Sequence, residues 1–303
     1  MPQTHSLTPP DPARHARQAR AFFPRGLAQP QGGFRFAVDA LLLASFAACH
    51  PDDTVLDCGT GCGVVGLALL LGSRPPARVL GLDADPDMLA AARANAAMLG
   101  LADRFAVAGA DMRALRGQDA VAPESCDRVV ANPPYRSPGR GRVSLAPATV
   151  PARFEIQGGM EDFVAAAVYA VRNRGAVHLV HLAERLPDVL AACRAVRLEP
   201  KRLRLVHGHA ASPARLLLLE ARKNGGPGLV VEAPLIMYAG KGAAARLTPE
   251  ALAFCPFLAC NAGPSGSPSD ARPDELAVWR DGADTGLGAD ANASGEAKGN
   301  AEA

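Results

Sequence analysis

The sequence lacks the features that would place it in a membrane or outside the cell. No apolar run approaches the roughly 20 residues that a membrane-spanning helix needs. Residues 1–30 contain no apolar core of the kind that a signal peptide carries. We therefore expect a protein of the cytoplasm that has no membrane partner.

Paired metal ligands are also missing. The seven cysteines form no Cys-x-x-Cys pair and have no histidine at the spacing of a metal site. An odd number of scattered cysteines is typical of reduced, mostly buried thiols. His178 and His181 have no ligand partner at suitable spacing either, and we interpret them as structural histidines of a strand. We expect no disulfides and no bound metal.

Charge is distributed unevenly along a chain of otherwise globular composition. The 303 residues are 49% hydrophobic and 20% charged, enough for one large α/β domain or two small ones. The net charge is +2, but eight acidic residues face three basic ones from Asn261 onward, which leaves +7 for residues 1–260. The net positive charge of residues 1–260 permits binding of nucleic acid.

Three regions follow from this distribution. Residues 1–30, rich in proline and arginine, are predicted to form a basic flexible leader, or alternatively an arm that touches phosphates. Residues 31–260 are predicted to form the folded domain. Residues 261–303, rich in Gly, Ala, Ser and Asp, are predicted to be a disordered acidic tail.

Short apolar strands alternate with helical stretches through the middle of the chain. Strands are predicted at 54–57, 78–83, 105–107, 126–131, 176–182, 202–207 and 215–221, with helices near 40–48, 64–71, 86–99, 161–174 and 187–197. The last two strands are joined by a short loop, which indicates an antiparallel hairpin. The pattern predicts a Rossmann-like, doubly wound α/β sheet of seven mostly parallel strands that ends in an antiparallel hairpin strand.

The first four predicted strands each lead into glycine or polar residues. Ligands of such sheets bind beyond the carboxyl ends of the strands, where glycines let the backbone approach and the next helix offers unpaired amides. An acid about twenty residues after the glycines can accept the hydroxyls of a ribose. We therefore expect a nucleoside-containing cofactor to contact Asp57, Gly59, Gly61, Gly63, Asp83, Asp111 and Asn132.

A basic loop rich in proline and glycine follows Tyr135. It contains Arg136, Arg140, Arg142 and Arg153, with no acidic residue before Glu155. Such a loop can be merely solvated, or it can contact phosphates.

Two kinds of cofactor fit the glycine segment. The spacing Gly61-x-Gly63-x-x-Gly66 matches the dinucleotide fingerprint, which would suit an NAD-dependent oxidoreductase. That interpretation leaves Asn132-Pro133-Pro134-Tyr135 unexplained, and no catalytic Lys/Tyr or Cys/His set is evident. The order and spacing of all the motifs, over about residues 52–221, instead resemble the class I S-adenosylmethionine-dependent methyltransferases. The resemblance implies S-adenosylmethionine as cofactor.

Within that superfamily, Asn-Pro-Pro-Tyr is similar to the motif of enzymes that methylate a conjugated amide or exocyclic amine. Their substrates are adenine N(6), cytosine N(4), guanine N(2) and protein glutamine. The resemblance implies that the side-chain oxygen of Asn132 and the carbonyl of Pro133 accept the two N–H groups, and that Tyr135 stacks on the base. The lone pair of such a nitrogen is delocalised, so positioning and electrostatics would carry the rate and no metal would be required.

Two segments outside the motifs described above narrow the resemblance to one family within the superfamily. Gly33-Phe34-Arg35-Phe36-x-x-Asp39-x-x-Leu42-Leu43 and Pro234-Leu235-Ile236-Met237-Tyr238 are similar to bacterial tRNA (adenine-N(6))-methyltransferases that act on valine tRNA. Phe154 departs from a histidine frequent in that family. Protein-glutamine enzymes usually carry an N-terminal helical domain, and the stretch before Val55 is short for one.

The sequence therefore predicts a monomeric enzyme that methylates an adenine N(6) in tRNA. Asn132, Pro133 and Tyr135 would act at the reacting amine, and Tyr135, Arg136, Arg140 and Arg142 would bind the RNA. Four alternatives stay open: a guanine-N(2) rRNA enzyme, a protein-glutamine enzyme, an NAD-dependent oxidoreductase and a non-catalytic RNA-binding protein.

Overall fold

One twisted sheet with helices on both faces forms the body of the protein. The computed structural model describes residues 12–30, 36–135, 158–240 and 242–260. The seven long strands are β1 (Thr54–Cys58), β2 (Arg78–Asp83), β3 (Phe105–Gly109), β4 (Cys126–Ala131), β5 (Val171–Leu182), β6 (Leu198–His207) and β7 (Ala214–Lys223). They lie side by side in the order β3-β2-β1-β4-β5-β7-β6.

The first five strands of the chain are mutually parallel, and β7 runs antiparallel to both of its neighbours. This confirms the predicted Rossmann-like sheet with an antiparallel hairpin strand. Two short strands, β8 (Val230–Val231) and β9 (Leu235–Ile236), extend the sheet by pairing with β6. A separate ribbon pairs β10 (Tyr238–Ala239) with β11 (Arg246–Leu247).

Helices cover both faces because successive strand residues point to opposite sides. In β1, for example, Val55 joins one buried core and Leu56 the other. The helices are α1 (Pro12–Ala21), α2 (Val38–Phe46), α3 (Val64–Leu71), α4 (Pro86–Met98), α5 (Met160–Ala170), α6 (Leu186–Ala195) and α7 (Pro249–Phe254). The first core contains residues of α2, α3 and α4, whereas the second contains residues of α5 and α6. None of the helices in the described parts of the chain is long and apolar enough to cross a membrane.

The prediction of a flexible leader is wrong for residues 12–30. The helix α1 packs against the end of α4, where the Arg20 Nε and Nη2 atoms donate hydrogen bonds to the carbonyls of Leu99 (2.7 Å) and Gly100 (2.9 Å). These carbonyls follow the last turn of α4 and have few other partners, so a guanidinium is a fitting cap. Phe23 is then buried against the ring of Phe257, with 5.1 Å between the ring centroids.

The helix boundary that differs most from the sequence prediction is the end of α5. The helix predicted for 161–174 ends at Ala170, and Val171 begins β5 because it pairs with Cys126 of β4. The pairing slips between Cys126 and Arg128, and Arg174 takes a left-handed φ of 65°. A β-branched residue in a buried strand position is favoured there over continuation of the helix. Residues 1–11 and the tail 261–303 lie outside the described residues, as do Gly33, Phe34 and Arg35.

Candidate active site

The predicted site residues follow strand ends that lie at one edge of the sheet. Cys58 at the end of β1 pairs with Leu82 of β2 and Ala131 of β4, and Asp83 pairs with Gly109 of β3. Because these strands are parallel, the segments that follow them emerge at the same edge. The topology thus brings the glycine segment, Asp83, Asp111 and Asn132 to a common edge.

The glycine loop between β1 and α3 adopts a conformation that other residues rarely take. Gly59, Gly61 and Gly63 have φ of 69°, 54° and 88°. A Cβ on Gly59 would lie 2.7 Å from the ring of Phe163, so this glycine is required for packing. A Cβ on Gly61 would meet nothing within 4 Å. The loop therefore leaves open space above Gly61, where a ligand can approach the backbone.

Asp57 lies beneath this loop. Its side chain is 1% exposed, and Oδ2 accepts hydrogen bonds from the Thr60 hydroxyl (2.7 Å) and the Gly66 amide (3.0 Å). Burial raises the pKa of Asp57 to about 6, although both hydrogen bonds oppose the shift. Sequence reasoning assigned Asp57 to the cofactor, but these contacts support an indirect contribution through the shape of the loop.

Asp83 connects the end of β2 to the same loop. Its Oδ2 accepts a hydrogen bond from the Gly61 amide and its Oδ1 one from the Asp85 amide, each at 2.9 Å. Burial raises the pKa of Asp83, and the two amides counteract that effect. Each carboxylate oxygen has a further lone pair. Asp83 therefore has acceptor capacity left for hydroxyl groups of a ligand.

Asp111 follows β3 and has a different environment. Its Oδ2 forms an ion pair with Arg113 (2.6 Å), and its Oδ1 caps the short 3-10 helix Met112–Gly117 by accepting from the Arg113 amide (2.9 Å). The paired guanidinium lowers the pKa of Asp111. Gln118 bonds both the backbone amide and the carbonyl of Asp111, each at 3.1 Å. A direct contact of Asp111 with the cofactor stays a prediction.

Tyr135, three residues after Asn132, bonds a buried acid to which the sequence analysis gave no role in the site. Asp39, in the first turn of α2, is 1% exposed. It accepts hydrogen bonds from the Tyr135 hydroxyl and from the Ala40 amide, the latter at 2.7 Å, and the nearby side chain of Asn132 also stabilises its charge. Burial raises the pKa of Asp39 and these donors lower it, the balance lying above the usual value. The pKa of Tyr135 is raised well above its usual value by burial and by Asp39, so the phenol stays neutral.

The ring of His181 packs against the ring of Tyr135. The two ring centroids are 5.1 Å apart and the rings are inclined by 65°. Burial, and secondarily Arg185, lowers the pKa of His181 to about 4, so the imidazole is neutral at physiological pH. The interpretation of His181 as a purely structural strand residue is therefore incomplete, since its ring contacts the site. His178 remains structural, buried between Phe46 and Glu220.

Some predicted site residues cannot be placed. Arg136, Arg140, Arg142, Arg153 and Phe154 lie outside the described residues, and the role of the basic loop stays a prediction. Among the residues that are described, no group of three or more His, Cys, Asp or Glu side chains is arranged to hold a metal ion.

Comparison with known proteins identifies the family. Residues 37–154, from α2 to beyond Tyr135, match the family described as methyltransferase small domain. A tRNA1(Val) (adenine(37)-N6)-methyltransferase of Porphyromonas gingivalis is 30% identical over 198 residues, which are 62% of this chain and 74% of that protein. The chain belongs to the S-adenosylmethionine-dependent methyltransferases. Membership overturns the alternatives of an NAD-dependent oxidoreductase and of a non-catalytic protein.

Other relatives of this methyltransferase differ in substrate. A release factor glutamine methyltransferase of Cereibacter sphaeroides is 34% identical over 151 residues, which are 43% of this chain and 51% of that protein. A crystal structure described as a predicted O-methyltransferase of Agrobacterium tumefaciens has a TM-score of 0.57 and 24% identity, and the alignment covers 72% of this chain and 96% of that one. This structure supports the fold alone.

Proposed function

We propose that this methyltransferase transfers a methyl group from S-adenosylmethionine to the exocyclic N(6) of an adenine in tRNA. The similarity to the Porphyromonas gingivalis tRNA enzyme carries the proposal, because it extends over 74% of that protein. The similarity to the release factor enzyme extends over 51% of its length. By the same likeness, adenine 37 of a valine tRNA is the first position to test.

The residues of the glycine loop fit the cofactor. S-adenosylmethionine supplies a methyl group on a sulfonium and carries a ribose with two hydroxyls. The open space at Gly61 would admit it, with Gly59 and Gly63 shaping the turn. Asp83 would accept the ribose hydroxyls through lone pairs that its two backbone amides leave free. Asp111 is proposed as a further contact on the same edge.

Asn132 and Pro133 would hold the acceptor nitrogen. The Asn132 side-chain oxygen and the Pro133 carbonyl accept its two N–H groups in this proposal, which directs the nitrogen lone pair toward the methyl group. Because that lone pair is delocalised in the ring, orientation and the two acceptors must supply the rate. Tyr135, partly exposed and anchored through its hydroxyl, would stack on the base. Arg136, Arg140 and Arg142 would contact phosphates.

A protein glutamine is the second candidate acceptor. The release factor relatives favour it, and a side-chain amide offers the same two N–H groups and the same delocalised lone pair. A guanine N(2) in rRNA would also satisfy the chemistry of the motif.

One assay separates these acceptors. The purified full-length protein is incubated with methyl-deuterated S-adenosylmethionine, together with total tRNA, rRNA or a release factor, and the products are digested for mass spectrometry. Deuterated N(6)-methyladenosine from tRNA is expected. Label on a glutamine peptide, or on N(2)-methylguanosine from rRNA, with none on tRNA would overturn the proposal. Heat-inactivated protein is the control for chemical methylation.

A further inference from the structure

A buried carboxylate lies behind the residues that are proposed to hold the acceptor amine. Asp39 belongs to the apolar helix α2, whose other buried residues are alanine, leucine and phenylalanine. Placing an acid in such a position is costly unless hydrogen-bond donors surround it. The groups that stabilise its charge are the amides of Ala37 and Ala40, the Asn132 side chain and the Tyr135 hydroxyl.

We propose that Asp39 is a positioning residue for methyl transfer, which acts by holding the hydroxyl, and with it the ring, of Tyr135. The proposal rests on the proposed role of Tyr135, but it does not depend on whether the acceptor is adenine, guanine or glutamine.

Tyr135 is held by the same carboxylate. Its hydroxyl donates to Asp39 Oδ2, while the ring packs against His181 from the side. One buried acid thus fixes the side chain that would stack on the substrate. Methyl transfer needs this precision, since a displacement of about 1 Å can reduce a rate by about 100-fold.

A purely structural role predicts a different result. Ala37, at the N-cap position of α2, makes no capping hydrogen bond with its side chain, and of the hydrogen bonds that Asp39 accepts the one from the Ala40 amide lies within the helix. If Asp39 served only the fold, its replacement would lower stability and leave the turnover number of the folded protein unchanged.

The test compares Asp39→Asn with Asp53→Asn. Asp53 is a matched control because it is 6% exposed and bonds Arg128 and the His50 amide at the start of β1, at the opposite end of the sheet. With the acceptor that the wild-type protein methylates, we expect Asp39→Asn to lower kcat by about 100-fold. S-adenosylmethionine affinity should stay within a few-fold, and KM for the acceptor should change less than kcat. Asp53→Asn should lower the melting temperature but keep kcat.

A second readout needs no substrate and separates this proposal from the assignment of adenine. In the NMR spectrum of the full-length protein, the hydroxyl proton of Tyr135, assigned by its loss in Tyr135→Phe, should exchange slowly with water. It should shift in Asp39→Asn and stay in place in Asp53→Asn. Rapid exchange in the wild-type protein would overturn the proposal even if Asp39→Asn failed to fold. An unchanged kcat in folded Asp39→Asn would overturn it as well.

Discussion

The two sides of the site are built in different ways. On the cofactor side, three glycines with left-handed φ and two buried acids, Asp57 and Asp83, form a network made chiefly with backbone amides. On the acceptor side, Asp39, Asn132, Tyr135 and His181 interact through their side chains. A backbone network depends on the glycine pattern of one short loop, whereas the side-chain network depends on how α2, β4 and β5 are packed together.

This difference has a functional consequence. The family shares one methyl donor, so a loop that is fixed by its own backbone suits the cofactor side. Relatives of this chain act on a tRNA adenine or on a release factor glutamine. We therefore expect substrate choice to depend on side chains around the acceptor and on the loop after Tyr135. Changes on the acceptor side should lower turnover, and changes on the cofactor side should lower S-adenosylmethionine affinity.

The largest effect is expected at Asn132. Asn132→Ala removes the proposed acceptor for an amine hydrogen and should slow methyl transfer by at least about 100-fold, as the loss of one oriented polar group at a reacting centre commonly does. Calorimetry should find S-adenosylmethionine affinity within a few-fold of the wild-type value. Asn173→Ala, at an exposed position of β5, is the matched control. Unchanged turnover in Asn132→Ala would contradict the role given to this residue.

The pH dependence of stability tests the cofactor side. Because the folded pKa of Asp57 is raised from 3.8 to about 6, its favourable contribution is fully present below the unfolded pKa and is lost as the pH rises through about 6. The loss should amount to about 3 kcal/mol in the free energy of unfolding. Asp57→Asn has no charge to bury, so its stability relative to the wild type should improve between pH 4 and pH 7.5.

Chemical denaturation of both proteins at several pH values measures this difference. An Asn side chain at position 57 can still accept from Thr60 and Gly66 through its oxygen, so the comparison isolates the charge. A constant difference in the free energy of unfolding across the pH range would show that Asp57 is not desolvated as the structure indicates.

Asp83 should govern affinity for the cofactor. Asp83→Ala removes the acceptor proposed for the ribose hydroxyls and should weaken S-adenosylmethionine binding by about 1–3 kcal/mol, roughly 10- to 100-fold. At saturating cofactor, kcat should recover to near the wild-type value. Asp103→Ala, an exposed acid just before β3, controls for the loss of a surface charge. A fall in kcat that persists at saturating cofactor would contradict the expectation that Asp83 affects cofactor affinity but not turnover.

The smallest effect is expected in the basic loop. Converting Arg140 and Arg142 to glutamine should reduce the slope of log affinity against log salt by about one for each phosphate that the loop no longer neutralises. The pair Arg194→Gln and Arg197→Gln, near the amino end of β6, changes the net charge equally. Binding of tRNA by each protein can be followed by fluorescence anisotropy at several salt concentrations. Equal slopes for both pairs would indicate that the loop is only solvated.

Local sequence patterns predicted well the local structure of the glycine loop and of the end of β2. The glycine spacing and the acid at the end of β2 are both encoded within a few neighbouring residues, and the structure has them in place. The alternation of strands and helices predicted the order of elements in the sheet, because crossover connections between parallel strands allow few topologies.

The acceptor side could not be predicted in this way because its contacts join distant segments. Asp39 and Tyr135 are 96 positions apart, and the apolar sequence around Asp39 does not predict that the two side chains are in contact. His181 faces Tyr135 only because β4 and β5 pair with Ala131 beside Leu179, a register that sequence periodicity does not give. Two signals for Asp39 were available: an acid in the first turn of an apolar helix, and its place in the segment that resembles the tRNA enzymes.

The most direct measurement of the central claim is mass spectrometry of tRNA nucleosides from cells that lack this protein. The strain is compared with the same strain carrying either the wild-type gene or the Asn132→Ala variant. We expect one N(6)-methyladenosine to disappear from tRNA, to return with the wild-type gene and to stay absent with the variant. An unchanged level of N(6)-methyladenosine, together with loss of a methylated glutamine from a release factor, would contradict the assignment.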